Sequence, residues 1–173
     1  MGTSRTTARA LATAVGVVSL VSLAGLAAAA PGEPGKPRFT AGSAGVGDSY
    51  FPYAGNGGYD VQHYDLDIDY TPPAPAPAPL EGTLEGVATI ELTATQDLDR
   101  FNLDLRGMTV SALTINGRPA TGIEPPAPGA QVDGAAYWHA QDAAERRWEL
   151  TVQPRPKLKK GQTVEVVVTY SGT

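Results

Sequence analysis

From Tyr59 onward the chain alternates apolar and polar residues with a period of two, and no segment sustains a helical period. A helix brings apolar side chains back every three or four positions, whereas strict alternation puts them on one face of a strand. In "QHYDLDIDY", Tyr64, Leu66, Ile68 and Tyr70 share one face and Asp65, Asp67 and Asp69 the other. The pattern predicts tyrosines and leucine turned to a core and aspartates turned to water. "LEGVATIELTAT" repeats it, with Leu84, Ala88, Ile90, Leu92 and Ala94 on one face. Further strands are predicted in "RFNLDL", "TVSALTI", "AAYWHA", "RWELTV" and "TVEVVVTY", with the turn pair Asn116 and Gly117 after the second of these. Short strands separated by turn signals imply an all-β, antiparallel β-sandwich. The best helical candidate, "AQDAAERRWE", is short and runs directly into a strand pattern.

The 173 residues are enough for one core, but not all of them belong to it. Residues 1–30 carry Arg5 and Arg9 ahead of a long Ala, Val and Leu run that ends in small residues and proline. That is the composition of a secretory signal peptide, with cleavage expected near Ala29 or Ala30, and it predicts a secreted protein with no membrane attachment after cleavage, the alternative being a segment retained as a membrane anchor. "SLAGLAA" has no cysteine to carry a lipid. Residues 31–58 are rich in Gly, Pro and small polar residues and read as a linker or arm, which leaves 59–173 for the sandwich. Between the first two strands, Pro72, Pro73, Pro75, Pro77 and Pro79 lack the amide hydrogens that a ladder needs. They predict an extended hairpin loop.

The whole chain carries a net charge of −5, and residues 1–30 contain no acid, so their loss makes the remainder more acidic. This balance opposes a nucleic-acid or anionic-membrane partner. The one basic cluster, "RPKLKKG" at 155–161, reads as a turn between strands. There is no cysteine, so a packed core has to supply the stability of an exported fold.

Motif by motif, the chain offers no catalytic, cofactor-binding or metal-binding residue. The comb Asp65, Asp67, Asp69 opens like a calcium loop, but Tyr70 stands where the glycine is needed and Ala76 where the bidentate glutamate is needed. On a strand its neighbouring carboxylates lie roughly 7 Å apart. His63 and His139 are the only histidines, and neither begins H-E-x-x-H. Ser43 in "AGSAG" lacks the first glycine of a nucleophile elbow. "GVGDSY" and "GNGGYD" lack the last glycine of a phosphate loop and read as turns. Tyr137, Trp138 and Trp148 read as core filling before they read as a sugar platform. The last strand, "TVEVVVTYSGT", has Val164, Val166, Val168 and Tyr170 on one face and Val167 on the other. Apolar residues on both sides suit a strand inside a structure, yet the sequence stops at Thr173 and leaves this one expected near an edge with nothing following to cover it, so the sandwich reads as incomplete at its C-terminal end.

Three stretches together, "GDSYFPYAGNGGYDVQHYDLDIDY", "LEGVATIELTATQDLDRFNLDLRGMTVSALTINGRPA" and "WELTVQPRPKLKKGQTVEVVVTYSG", resemble the opening of a known domain. It is the N-terminal domain of secreted actinobacterial zinc aminopeptidases of the aminopeptidase N family, which are gluzincin metallopeptidases. The resemblance covers residues 47–173 and is most specific in "NGGYDVQHYDL" and "DLDRFNLDLRGM". It implies a saddle-shaped β-sandwich packed beside a thermolysin-like catalytic domain, in an enzyme that removes N-terminal residues from peptides. In such an enzyme zinc polarises the scissile carbonyl and activates water while a glutamate moves the proton. The family's H-E-x-x-H and G-A-M-E-N motifs match no residue here, so zinc is expected in the whole enzyme and not in this chain. The proline-alternating loop departs from the family pattern. The implied function is the non-catalytic N-terminal portion of such an enzyme. The alternative is a stand-alone secreted β-sandwich that binds peptide or carbohydrate through Trp138 or Trp148.

Overall fold

The computed structural model describes residues 39–50, 55–77, 81–142 and 147–173. The signal-peptide reading of 1–30 and the centre of the helical candidate, 143–146, lie outside them. Among the described residues there is no helix and there are ten strands: β1 (Thr40–Ala41), β2 (Tyr59–Thr71), β3 (Thr83–Ala94), β4 (Leu98–Asp104), β5 (Thr109–Ile115), β6 (Arg118–Pro119), β7 (Thr121–Gly122), β8 (Ala136–Asp142), β9 (Arg147–Gln153) and β10 (Thr163–Gly172). They form two five-stranded sheets, ordered β2-β3-β10-β5-β6 and β1-β4-β9-β8-β7. All pairings are antiparallel except β1 with β4 and β7 with β8, which are parallel and two residues long. The expected antiparallel β-sandwich is what forms.

One core lies between the sheets. Ile90, Leu92, Leu113, Ile115, Val164, Val166 and Val168 of the first sheet meet Leu98, Phe101, Leu103, Leu150 and Val152 of the second. Leu92, Phe101, Val152 and Val166 are wholly shut off from solvent. The alternation sorts the β3 side chains as its period requires, with Ala88, Ile90, Leu92 and Ala94 buried and Glu85 and Glu91 exposed. Asn116 and Gly117 have φ of 49° and 71°, the left-handed pair that a two-residue hairpin needs, and they join Ile115 to its partner Arg118. The basic cluster is the connection between β9 and β10, and its Leu158 is buried and paired with Leu98 through their backbones.

Two expectations are corrected. β10 is not near an edge: it pairs with β3 from Thr163 to Gly172 on one side and with β5 from Val166 to Ser171 on the other. Valines on both faces suit such an interior strand, so β10 gives no sign of an unfinished sheet. The edge strand is β2, the one expected to face the core throughout. Its tyrosines and leucine do lie on the core side of the sheet, opposite Leu84, Gly86, Ala88 and Ile90 of β3. However, the second sheet does not extend over them. Tyr64, Leu66, Ile68 and Tyr70 are 50%, 53%, 49% and 57% exposed.

The described part of the Gly- and Pro-rich arm docks on the second sheet. Thr40 donates its amide to Asp97 O at 3.0 Å, and Gly42 donates to Arg100 O at 2.8 Å. Gly57 donates to Ser43 O at 2.9 Å, which folds the arm back on itself just before β2 begins.

Candidate interaction face

The start of β2 is anchored. Gly58, at φ +100°, sits where a Cβ would come within 2.9 Å of Leu98 Cδ2, so the turn into the strand needs glycine both for its dihedral and for its closeness. Next to it the Tyr59 ring meets Phe101 edge-on, with centroids 5.6 Å apart and planes at 65°. The Tyr59 hydroxyl donates to Asn102 O at 2.7 Å. On the side chain of the same Asn102, Oδ1 accepts from Thr151 Oγ1 at 2.8 Å, which satisfies a buried polar pair. The Asp104 carboxylate, at the end of β4, accepts from the Gly55 amide at 2.8 Å and from Asn56 Nδ2 at 3.1 Å. The approach to β2 is therefore tied to β4.

Beyond Val61 the cover ends and a groove of about 480 Å³ opens, with Tyr59, Tyr64 and Leu66 on one wall and Leu103, Asp104 and Leu105 on the other. Burial pushes the Tyr59 hydroxyl well above its ordinary pKa, and the charges of Tyr64, Asp104 and Glu149 add to the effect. Tyr64 is raised too, first by partial burial and then by Asp104. The groove is lined by three tyrosines, Tyr59, Tyr64 and Tyr170, and by two aspartates, Asp60 and Asp104. Among its described lining residues no nucleophile is paired with a base. Further along, the Tyr170 ring lies over Gly86, where an added Cβ would come within 2.5 Å of the ring, and so extends the exposed apolar row inward from β2.

The residues weighed from sequence do not converge. His63 is exposed on β2 of the first sheet, whereas His139 sits on β8 of the second with its Nε2 2.7 Å from Leu105 O. Asp65, Asp67 and Asp69 face Thr89, Val87 and Glu85 on β3 and point to water. No three His, Asp or Glu side chains among the described residues are grouped to hold a metal ion, so zinc does not fit this part of the chain. Tyr137 packs against the core, while the Trp148 ring lies under the Arg106 guanidinium at 4.3 Å. Trp138 lines a separate groove of about 660 Å³ on the outer face of the second sheet, beside Arg100, Asn102 and Glu149. Sequence reasoning missed the first groove because it assumed that the apolar face of β2 was covered. The one signal for it was the greater length of β2, 13 residues against the seven of β4.

No protein-family model matches the chain, and no curated protein does. Solved structures do match. An M1 zinc metallopeptidase of Deinococcus radiodurans, a mutant bound to a Tyr-Ser-Ala substrate, is 31% identical over 75% of this chain, with a TM-score of 0.54. The M1 zinc metallopeptidase of the same organism without the mutation is 32% identical over 75%, again at 0.54. A mutant two-domain M1 zinc metallopeptidase bound to L-tryptophan gives 32%, 75% and 0.54. The likeness supports the M1 zinc metallopeptidase family. The chain spans about a quarter of these proteins, 24%, 23% and 24% of their lengths respectively.

Proposed function

We propose that this chain is the exported, non-catalytic N-terminal portion of a zinc aminopeptidase, and that its sandwich packs beside a catalytic domain and helps to wall the cavity in which peptides are cut. The observation that carries the reading is the match to M1 metallopeptidases at 31–32% identity over 75% of the chain, which spans only about a quarter of their length. The sequence adds to it: neither histidine begins H-E-x-x-H, and the described residues hold no group that suits zinc. Export draws on the signal-like composition of residues 1–30. The alternative, a stand-alone binding module, draws on the outer groove at Trp138 alone, because the Trp148 ring is already under Arg106.

The test combines the coding frame with an assay. The frame is expected to continue past Thr173 and to encode H-E-x-x-H, while the 173-residue chain releases no chromophore from an aminoacyl substrate in excess zinc. A stop codon directly after Thr173 in a chain that is folded and soluble, or zinc-dependent turnover by the chain itself, overturns the proposal.

A further inference from the structure

β2 combines three properties that edge strands seldom show together. It is the terminal strand of its sheet, so one long edge of a 13-residue strand carries no neighbour among the described residues. From His63 to Thr71 its register with β3 runs without interruption, and the single irregularity lies before that, between Val61 and His63. Finally, its two faces differ sharply: Tyr64, Leu66, Ile68 and Tyr70 are exposed on one, and Asp65, Asp67 and Asp69 are exposed on the other.

Long open edges template the addition of another strand, and proteins usually blunt them with proline, lysine, bulges or brevity. β2 contains no proline or lysine, and its bulge leaves the stretch from Tyr64 onward regular. Among the described residues, what guards that stretch is the row of aspartates. That guard is selective. If two copies of β2 paired, each would bring its aspartates against the other's, and like charges facing one another across strands are destabilising. Nor does β3 neutralise the row, because the residues opposite are Thr89, Val87 and Glu85. The edge therefore rejects its own copy and favours a strand of opposite charge.

We infer that the open edge of β2 takes up an extended polypeptide segment whose residues alternate between apolar and basic, added as a sixth strand to the first sheet. Backbone hydrogen bonds from the edge hold the segment. The period of two then sets its side chains: apolar ones fall beside Tyr64, Leu66, Ile68 and Tyr70 and widen the apolar face, while lysines or arginines fall beside Asp65, Asp67 and Asp69. A slip of one residue would reverse both faces, so the charge pattern also fixes the register. The inference does not rest on the peptidase reading, because it concerns an edge of this sheet and its readout is binding.

The test titrates the full chain with a labelled peptide of about ten residues, roughly one strand, in which valine and lysine alternate. Two further peptides serve as comparisons: one with glutamate for lysine, and one with the valines and lysines sorted into two blocks. The alternating peptide is expected to bind, to bind at least about tenfold more tightly than either of the others, and to weaken with salt. It should also slow hydrogen exchange at backbone amides of residues 64–71. The triple variant Asp65→Asn, Asp67→Asn, Asp69→Asn alters only exposed side chains, and it should lose about tenfold in affinity for the alternating peptide while keeping its far-UV circular dichroism. The inference fails if the alternating peptide does not bind, if the block peptide binds as tightly and so reveals mere attraction of a polycation, or if the chain alone dimerises through β2.

Discussion

β2 and β3 lie side by side, joined by one loop and paired from Tyr59↔Ala94 to Thr71↔Thr83, and both alternate apolar with polar residues. Their surroundings could hardly differ more. On β3 every second residue from Gly86 to Ala94 is buried, while on β2 every residue from Gln62 to Thr71 is exposed. The difference is one of neighbours. β3 has a strand on each side and the second sheet above it, whereas β2 has a strand on one side and is roofed only as far as Val61. Alternation states that a strand has two unlike faces; whether the apolar one is covered depends on elements elsewhere in the chain. An apolar row of the same period is thus a source of stability on β3 and an open surface on β2.

The widest gap between the two strands should appear on truncating a leucine in each. Leu92 is 0% exposed and packed in the centre of the core, so Leu92→Ala is expected to cost about 2–5 kcal/mol through lost transfer energy and a cavity. Leu66 is 53% exposed, so Leu66→Ala should cost less than about 1 kcal/mol. Urea unfolding measures both. Equal losses would show that the face of β2 is packed in solution, and would remove the surface on which the strand-addition inference stands.

Much of the fold was legible in the sequence because period two is a strong local signal: β2 to β5 and β8 to β10 all lie on stretches that alternate, and Asn116 with Gly117 marks its turn. What was not legible is non-local. β1 and β7 have two residues each, too few to carry a period, and they exist only because β4 and β8 offer them an edge. The interior position of β10 follows from its partners β3 and β5, whose paired residues lie 70–88 and 51–62 positions earlier, and only its valines on both faces hinted at it. As for the site, the dismissal of each motif could be made from spacing, but the groove could not be seen, since it is the place where one sheet outruns the other.

The boundary between roofed and open β2 passes between Tyr59 and Tyr64, and alkaline titration reads it. Burial raises the Tyr59 pKa most, so above about pH 10 the unfolded chain gives up a proton that folded Tyr59 retains. The folded state then holds more protons than the unfolded one, and stability falls as pH rises; below that pH the contribution is fully present. The slope from this one group is at most about 1.4 kcal/mol per pH unit. Tyr59→Phe should flatten the alkaline loss, at a cost of about 1 kcal/mol at neutral pH from the hydrogen bond to Asn102 O. Tyr64→Phe should flatten it less, since Tyr64 is half exposed. If the two variants behave alike, the roof over β2 does not end where the structure places it.

The smallest effect tests the outer face, where the two strands compare by charge rather than by burial. Asp69 pairs with Glu85, two acids directly opposite, whereas Asp67 pairs with Val87. Asp69→Lys turns a like pair into an opposite pair and is expected to stabilise by about 0.2–1 kcal/mol, falling toward zero in high salt. Asp67→Lys makes the same change in net charge with no acid directly across from it, and should gain less. The difference between the two urea midpoints isolates the cross-strand pair from the general relief of an acidic surface. If the gains match, the acids of β2 act as a diffuse field, and the strand-by-strand matching of lysines to Asp65, Asp67 and Asp69 loses its physical basis.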